Sequence, residues 1–137
     1  MMKSFIANNV TFEDMDDYWL VVFAACSDKS ADYLMLQRSY IFDEQDIKHG
    51  MDTYYVERDD QTFSCYGGMS TVDLYRDRVI VIFTPEGIKN LGIDELQIQY
   101  AISDSDFQGM LERLHLIFAE YNCLHDKTVA HEFNTER

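Results

Sequence analysis

Proline occurs once, at Pro85, and glycine six times in 137 residues. That scarcity excludes a collagen-like or low-complexity chain. Cysteine is nearly as scarce: Cys26, Cys65 and Cys123, with no CxxC pair. An odd, scattered count argues against a disulfide scaffold or a zinc ribbon and for reduced thiols, with Cys26 and Cys65 as small core residues of strand-like segments. Positive charge is also lacking. Eleven Lys and Arg stand against 25 Asp and Glu, a formal net charge of −14. Such a surface repels phosphate backbones and anionic headgroups, so direct binding to nucleic acid or membrane is not expected. Long apolar runs are missing too. The longest, residues 18–26, falls far short of the ~20 residues that span a bilayer. Asn8 and Asn9 interrupt the N-terminal apolar stretch where a secretory segment would need continuity, so a cytoplasmic location is expected.

What is present is enough for a core. Apolar residues make up 47% and aromatics 14%, and a chain of this length buries roughly two-thirds of its unfolded surface. Residues 1–121 read as one domain, with 122–137 a tail that has no apolar period and is expected to fray. Strand-like segments rich in β-branched and aromatic residues cover 5–12, 18–26, 33–38, 51–58, 62–66, 69–75, 79–83 and 93–102. Asp59-Asp60, Gly67-Gly68 and Arg76-Asp77 read as hairpin turns, which makes 51–84 an antiparallel meander. Thr84-Pro85, ending at Gly92, has a cap residue, a proline in the first turn and a glycine exit, the marks of a short helix. From 104 to 121, Phe107, Met110, Leu111, Leu114, Ile117, Phe118 and Tyr121 recur at three- and four-residue steps, one apolar stripe of a long helix. Ser105 and Gln108 have capping-box spacing at its start. The class is therefore α+β: a mainly antiparallel sheet of about seven or eight strands, packed by one long C-terminal helix.

Catalytic signatures are not found: no GxSxG, no phosphate loop, no dinucleotide fingerprint, no HExxH. No catalytic residue, cofactor or metal is assigned. Asp43, Asp46, His49 and Asp52 cluster within one turn-forming segment, but their spacing fits no EF-hand and Lys48 would repel a cation. The plainer reading is a short polar helix or turn ending at Gly50. The acids concentrate at 13–17, 43–46, 59–60, 94–95 and 104–106, mostly in expected loops and helix starts. They serve either as a solvating surface or as a docking face for a basic partner. Tyr40, Tyr54 and Tyr55 lie near them and suit interface anchors, because aromatics dominate binding hot spots; each suits a core strand equally.

Tyr33-Leu34-Met35-Leu36-Gln37-Arg38, then Phe42-Asp43-Glu44-Gln45-Asp46, then Gly50-Met51-Asp52-Thr53-Tyr54-Tyr55-Val56 resembles the tenth immunity protein family of bacterial polymorphic toxin systems. Tyr66-Gly67-Gly68 and Arg76-Asp77-Arg78 look like the same family. The resemblance runs over residues 5–121, is densest at 33–56 and does not cover the tail. It implies an α+β protein of the cytosol that binds and neutralises a toxin domain encoded beside it. It carries no catalytic residues. It also implies that Leu34 and Leu36 are core residues, and that Gln37, Arg38 and Asp52 tie the strands to the 43–50 turn. The expected partner is a cognate toxin domain, with a basic nuclease the best electrostatic match, occluded by an acidic face that includes Tyr40, Asp43, Glu44, Asp46, Asp52 and Tyr54. Two other readings stay open: a small-ligand domain with a pocket between sheet and helix, and a metal-dependent enzyme built on Asp43, Asp46 and His49. Exposed sheet edges are compatible with a monomer or a symmetric dimer.

Overall fold

The computed structural model describes residues 1–25 and 32–128. They form an α+β fold of two five-stranded sheets and three helices. In chain order these are β1 (Met2–Ala7), β2 (Asn9–Asp14), β3 (Tyr18–Ala24), β4 (Tyr33–Ser39), α1 (Glu44–Lys48), β5 (Tyr55–Arg58), β6 (Asp60–Tyr66), β7 (Met69–Leu74), β8 (Arg78–Phe83), α2 (Pro85–Leu91), β9 (Glu95–Tyr100), α3 (Asp104–Ile117) and β10 (Leu124–Asp126). The first sheet has the order β1-β9-β8-β7-β10, and the second the order β2-β3-β4-β5-β6.

The second sheet is an antiparallel meander, with α1 inserted between β4 and β5 and a register shift in the β5–β6 pairing at Glu57/Arg58. The first is antiparallel at its centre and parallel at both margins, where β1 runs alongside β9 and β10 alongside β7. The expected strand over 5–12 is thus two strands. The chain leaves one sheet at Ala7 and enters the other at Asn9, with the Asn8 amide donating to the Ala24 carbonyl at 2.9 Å. The expected hairpin at Gly67-Gly68 is likewise a crossover. β6 pairs with β5 and β7 with β8. Both glycines still have positive φ, +75° and +92°, conformations that cost a side-chain-bearing residue energy. Here they turn the chain between sheets rather than back on itself. The turns at Asp59 and at Arg76-Asp77 are hairpins as expected, the second closed by the Tyr75 amide on the Arg78 carbonyl at 2.8 Å. The tail also differs. Residues 124–126 add to β7, and Cys123 just before them is buried.

One cluster of buried side chains draws on both sheets. Val21, Phe23, Leu34, Leu36 and Val56 come from one, and Val72, Leu74, Val79, Val81, Leu96 and Ile98 from the other. Phe23 stacks on Tyr100 across the gap with ring centroids 5.9 Å apart. Helix α3 packs its stripe of Phe107, Met110, Leu114 and Ile117 against β2, β3 and β4. It ends at the cap residue Phe118, earlier than periodicity suggests. Its N-cap is Ser103, whose hydroxyl accepts from the Asp106 amide at 3.1 Å, so the cap lies two residues before Ser105. Helix α2 has the expected ends. The Thr84 hydroxyl accepts from the Gly87 amide, and Gly92 exits at φ +77°. It touches β6 of one sheet and β8 of the other.

Candidate docking face

Strand pleating sorts the residues of the β2–β6 sheet into two faces. Phe12, Val21, Leu36, Val56 and Cys65 lie across from one another and face the core. The opposite face carries the rows Glu13–Leu20–Gln37–Tyr55–Tyr66 and Thr11–Val22–Met35–Glu57–Ser64, with Tyr18 and Tyr33 at either end of the pairing. Leu20, Val22, Met35, Tyr18, Tyr33 and Tyr55 are only half-buried there, and Tyr66 is 44% exposed. An apolar, tyrosine-rich sheet face with this much accessible area is the composition of a protein interface core, where Tyr is enriched.

Two recesses indent this face and share Gln37, Tyr55 and Tyr66 as a common wall. One, of about 190 Å³, reaches toward Asp17, Asp46, Met51 and Thr53. The other, open and about 400 Å³, has Met35, Gln61 and Glu57 as its remaining lining. Glu57 is 8% exposed although it belongs to the outer face. Its Oε2 accepts from the Tyr33 hydroxyl at 2.5 Å and its Oε1 from the Tyr55 hydroxyl at 2.7 Å. Burial first, and then the Glu57 hydrogen bond, raise the Tyr33 phenol well above its ordinary pKa, so it stays a donor. Rings Tyr55 and Tyr66 lie 5.2 Å apart.

The residues expected to bind a partner differ in their surroundings. Asp46 borders the smaller recess. Asp43 and Asp46 also form a capping box: the Asp43 carboxylate accepts from the Asp46 amide at 2.8 Å, and the Asp46 carboxylate accepts from the Asp43 amide at 3.1 Å. Glu44, in the first turn of α1, and Asp52, just beyond the helix, are exposed. Tyr40 is half-buried. Its hydroxyl donates to the Met15 carbonyl, and its ring meets Trp19 edge-on at 4.6 Å. Tyr54 is not a surface anchor. It is 4% exposed, its hydroxyl accepts from the Met69 amide at 2.9 Å, and its ring packs on Phe118 and Tyr121. Its neighbour Tyr55 holds the outer position. One step of strand alternation separates anchor from core, and sequence alone did not settle the phase. Glu57 carries no signal in the sequence, since a lone acid in a strand is informative only once its two tyrosines are placed around it.

Leu34 and Leu36 are core residues, each 1% exposed. Arg38 ties β4 to the end of α3 rather than to the 43–50 turn. One guanidinium nitrogen donates to the Leu116 carbonyl at 3.2 Å and another to Glu120 at 3.0 Å, and the group lies over the ring of Phe42. The Gln37 amide donates to Met35 Sδ at 3.5 Å. His49 Nδ1 lies 2.9 Å from the Gln45 carbonyl. Among the described residues, no three His, Cys, Asp or Glu side chains are grouped to hold a metal ion. Cys26 lies outside the described residues. Cys65 and Cys123 are free thiols whose pKa values burial pushes up, the opposite of an activated nucleophile. A further open recess, of about 890 Å³, lies on the outer face of the other sheet. Its lining comes from β1, β8 and β9 with Asn8, Ala25 and Asp32, and includes no helix residue, unlike the pocket expected between sheet and helix. No described helix is long and apolar enough to cross a membrane.

No curated protein sequence matches the chain. A family model does: residues 6–108, which run from the end of β1 through the first turn of α3, match Immunity protein 10. With the match spanning most of the chain and the α+β meander that carries the 33–56 segment in place, the chain belongs to the Immunity protein 10 family.

Proposed function

We propose that this protein binds and neutralises a cognate polymorphic toxin domain, using the outer face of the β2–β6 sheet to cover the toxin's active site or substrate surface. The observation that carries the reading is the face itself. Tyr18, Tyr55 and Tyr66 stand around two joined recesses, and carboxylates of Asp17, Asp46 and Glu57 line them. Tyrosine supplies large contact area at little entropic cost, and desolvated aromatic pockets are where binding energy concentrates. The carboxylates suit a basic partner and would speed its encounter. A nuclease domain is the best match in charge. The role is that of a binding protein, with no chemical step of its own, acting in the cytoplasm where the toxin would otherwise reach its target.

The test is calorimetry with the toxin-like C-terminal domain encoded in the neighbouring reading frame, alongside an assay of that domain's activity. Nanomolar binding that weakens with salt and abolishes the activity is the expected result. Replacing Tyr66 with Ala should then weaken binding by at least about 2 kcal/mol if Tyr66 is a central anchor. Full affinity in a folded Tyr66→Ala protein would move the interface elsewhere.

A further inference from the structure

We infer that the Glu57 recess is a receptor for one arginine side chain of the partner. The inference rests on the neutralisation reading for the identity of that partner, and it names the partner's chemistry at one point of contact.

Glu57 is more than nine-tenths buried, yet no Lys, Arg or His among the described residues pairs with it. Arg58, next in sequence, faces the other way. Its Nε donates to the Leu91 carbonyl at 2.7 Å, and its Nη1 donates to Asp59 at 2.8 Å. The carboxylate receives one phenol hydrogen bond on each oxygen, from Tyr33 and Tyr55. Two of roughly four acceptor positions are therefore filled, and both by neutral donors. A carboxylate removed from water without a cation is a costly arrangement, normally relieved by pairing. Here the carboxylate lines an open recess, so relief can come from outside the chain.

The recess selects the cation's shape. Tyr55 and Tyr66 wall it with rings 5.2 Å apart, and Gln37 and Gln61 add polar atoms at the rim. A planar guanidinium stacks on aromatic faces and offers paired donors to a carboxylate. A lysine ammonium is a strongly hydrated point charge that does neither as well. The tyrosines hold the carboxylate in place beforehand, so an entering arginine has little reorganisation to drive.

The test has two arms. In the first, the full-length protein is titrated with N-acetyl-arginine amide at millimolar concentration while backbone amide resonances are followed, with the citrulline and lysine analogues in parallel. Saturable shifts centred on Tyr55, Glu57 and Tyr66 are expected for the arginine compound, weaker ones for lysine and none for citrulline. Glu57→Gln, which keeps size and shape, should abolish them. Gln61→Lys, at an exposed strand position, should fill the recess with the protein's own ammonium and block the probe, should Glu57→Gln disturb the fold. Equal responses to arginine and citrulline, to arginine and lysine, or in native and folded variant proteins would overturn the inference. In the second arm, Glu57→Gln should weaken binding to the neighbouring-frame toxin domain by at least about thirtyfold, the smallest loss expected when one member of a buried charge pair is removed. Native affinity in the folded variant would refute the arginine receptor and leave neutralisation standing. Arginine binding in the first arm without any toxin neutralisation would refute the neutralisation reading and leave the recess standing.

Discussion

A methyl group at Gly87 would lie 2.2 Å from the carbonyl oxygen of Gly68. The two glycines bring the first turn of α2 against the crossover between the sheets, and the Thr84 amide completes the contact by donating to the same carbonyl at 2.9 Å. Backbone rather than a flexible side chain blocks the space, so nothing nearby yields cheaply. Gly87→Ala is expected to destabilise the fold by about 1–3 kcal/mol or more, the cost of overpacking a closed contact. The midpoint of urea unfolding reads it. An unchanged midpoint would mean that α2 does not sit this close.

Tyr54→Phe deletes a hydroxyl that accepts the buried Met69 amide at 2.9 Å. The amide then has no replacement acceptor from that side chain, and leaving a buried donor unsatisfied costs about 1–3 kcal/mol. Stability should fall by that amount while toxin affinity stays as it was, because the residue is in the core. Lost affinity at full stability would return Tyr54 to the interface.

Thr84→Ala removes the side-chain acceptor that holds the Gly87 amide at 3.1 Å. The expected loss is about 0.5–2 kcal/mol, the ordinary range for an N-cap. Thr84→Ser should restore most of it, and thermal unfolding of the pair makes the comparison.

Alkaline pH should destabilise the protein. Burial raises the phenol pKa values of Tyr54 and Tyr100 above the ordinary 10.0. Between the unfolded and folded values, the unfolded chain has lost these protons and the folded one keeps them, so stability falls as pH rises through that window. Lys3 acts with the same sign. Its hydrogen bond to Asp32, chiefly, and its contact with Asp59 raise it above 10.5, and the ion pairs are lost as the ammonium deprotonates. Urea midpoints from about pH 8 to 11 should decline above 10. A flat profile in Tyr54→Phe would assign most of the decline to that phenol. An equally steep profile in that variant would assign it to the other raised groups, Tyr33, Tyr100 and Lys3 among them.

Local grammar was legible where a single residue decides a local geometry. Thr84, Pro85 and Gly92 bounded α2 as expected, and the apolar stripe of Phe107, Met110 and Leu114 placed α3. Pairing partners were not legible. Nothing in residues 2–7 advertises Glu95–Tyr100 as their neighbour, because parallel pairing leaves no turn in the sequence. Gly67-Gly68 shows the same limit from the other side: two residues suited to positive φ announce that the chain turns, without saying whether it returns to the strand it left. In the candidate site, the acids of residues 43–46 were visible as a charge cluster, and two of them turned out to cap a helix. The Glu57 recess has contributions from three strands, and the two tyrosines that bond Glu57 come from β4 and β5, so no short window of sequence contains it.

The chain's two sheets differ in how far apart their pairing partners lie. Every neighbour in the β2–β6 sheet is also the next strand in the chain, whereas the other sheet joins residues 2–7 to 95–100 and 69–74 to 124–126. Local pairings close early and distant ones late. During synthesis the tyrosine-lined meander has all its strands once residue 66 has emerged, while β1 waits for β9. The face proposed for docking would thus be paired first and the frame behind it locked afterwards. Pulse-labelled hydrogen exchange during refolding should show β3 and β4 amides protected before those of β1.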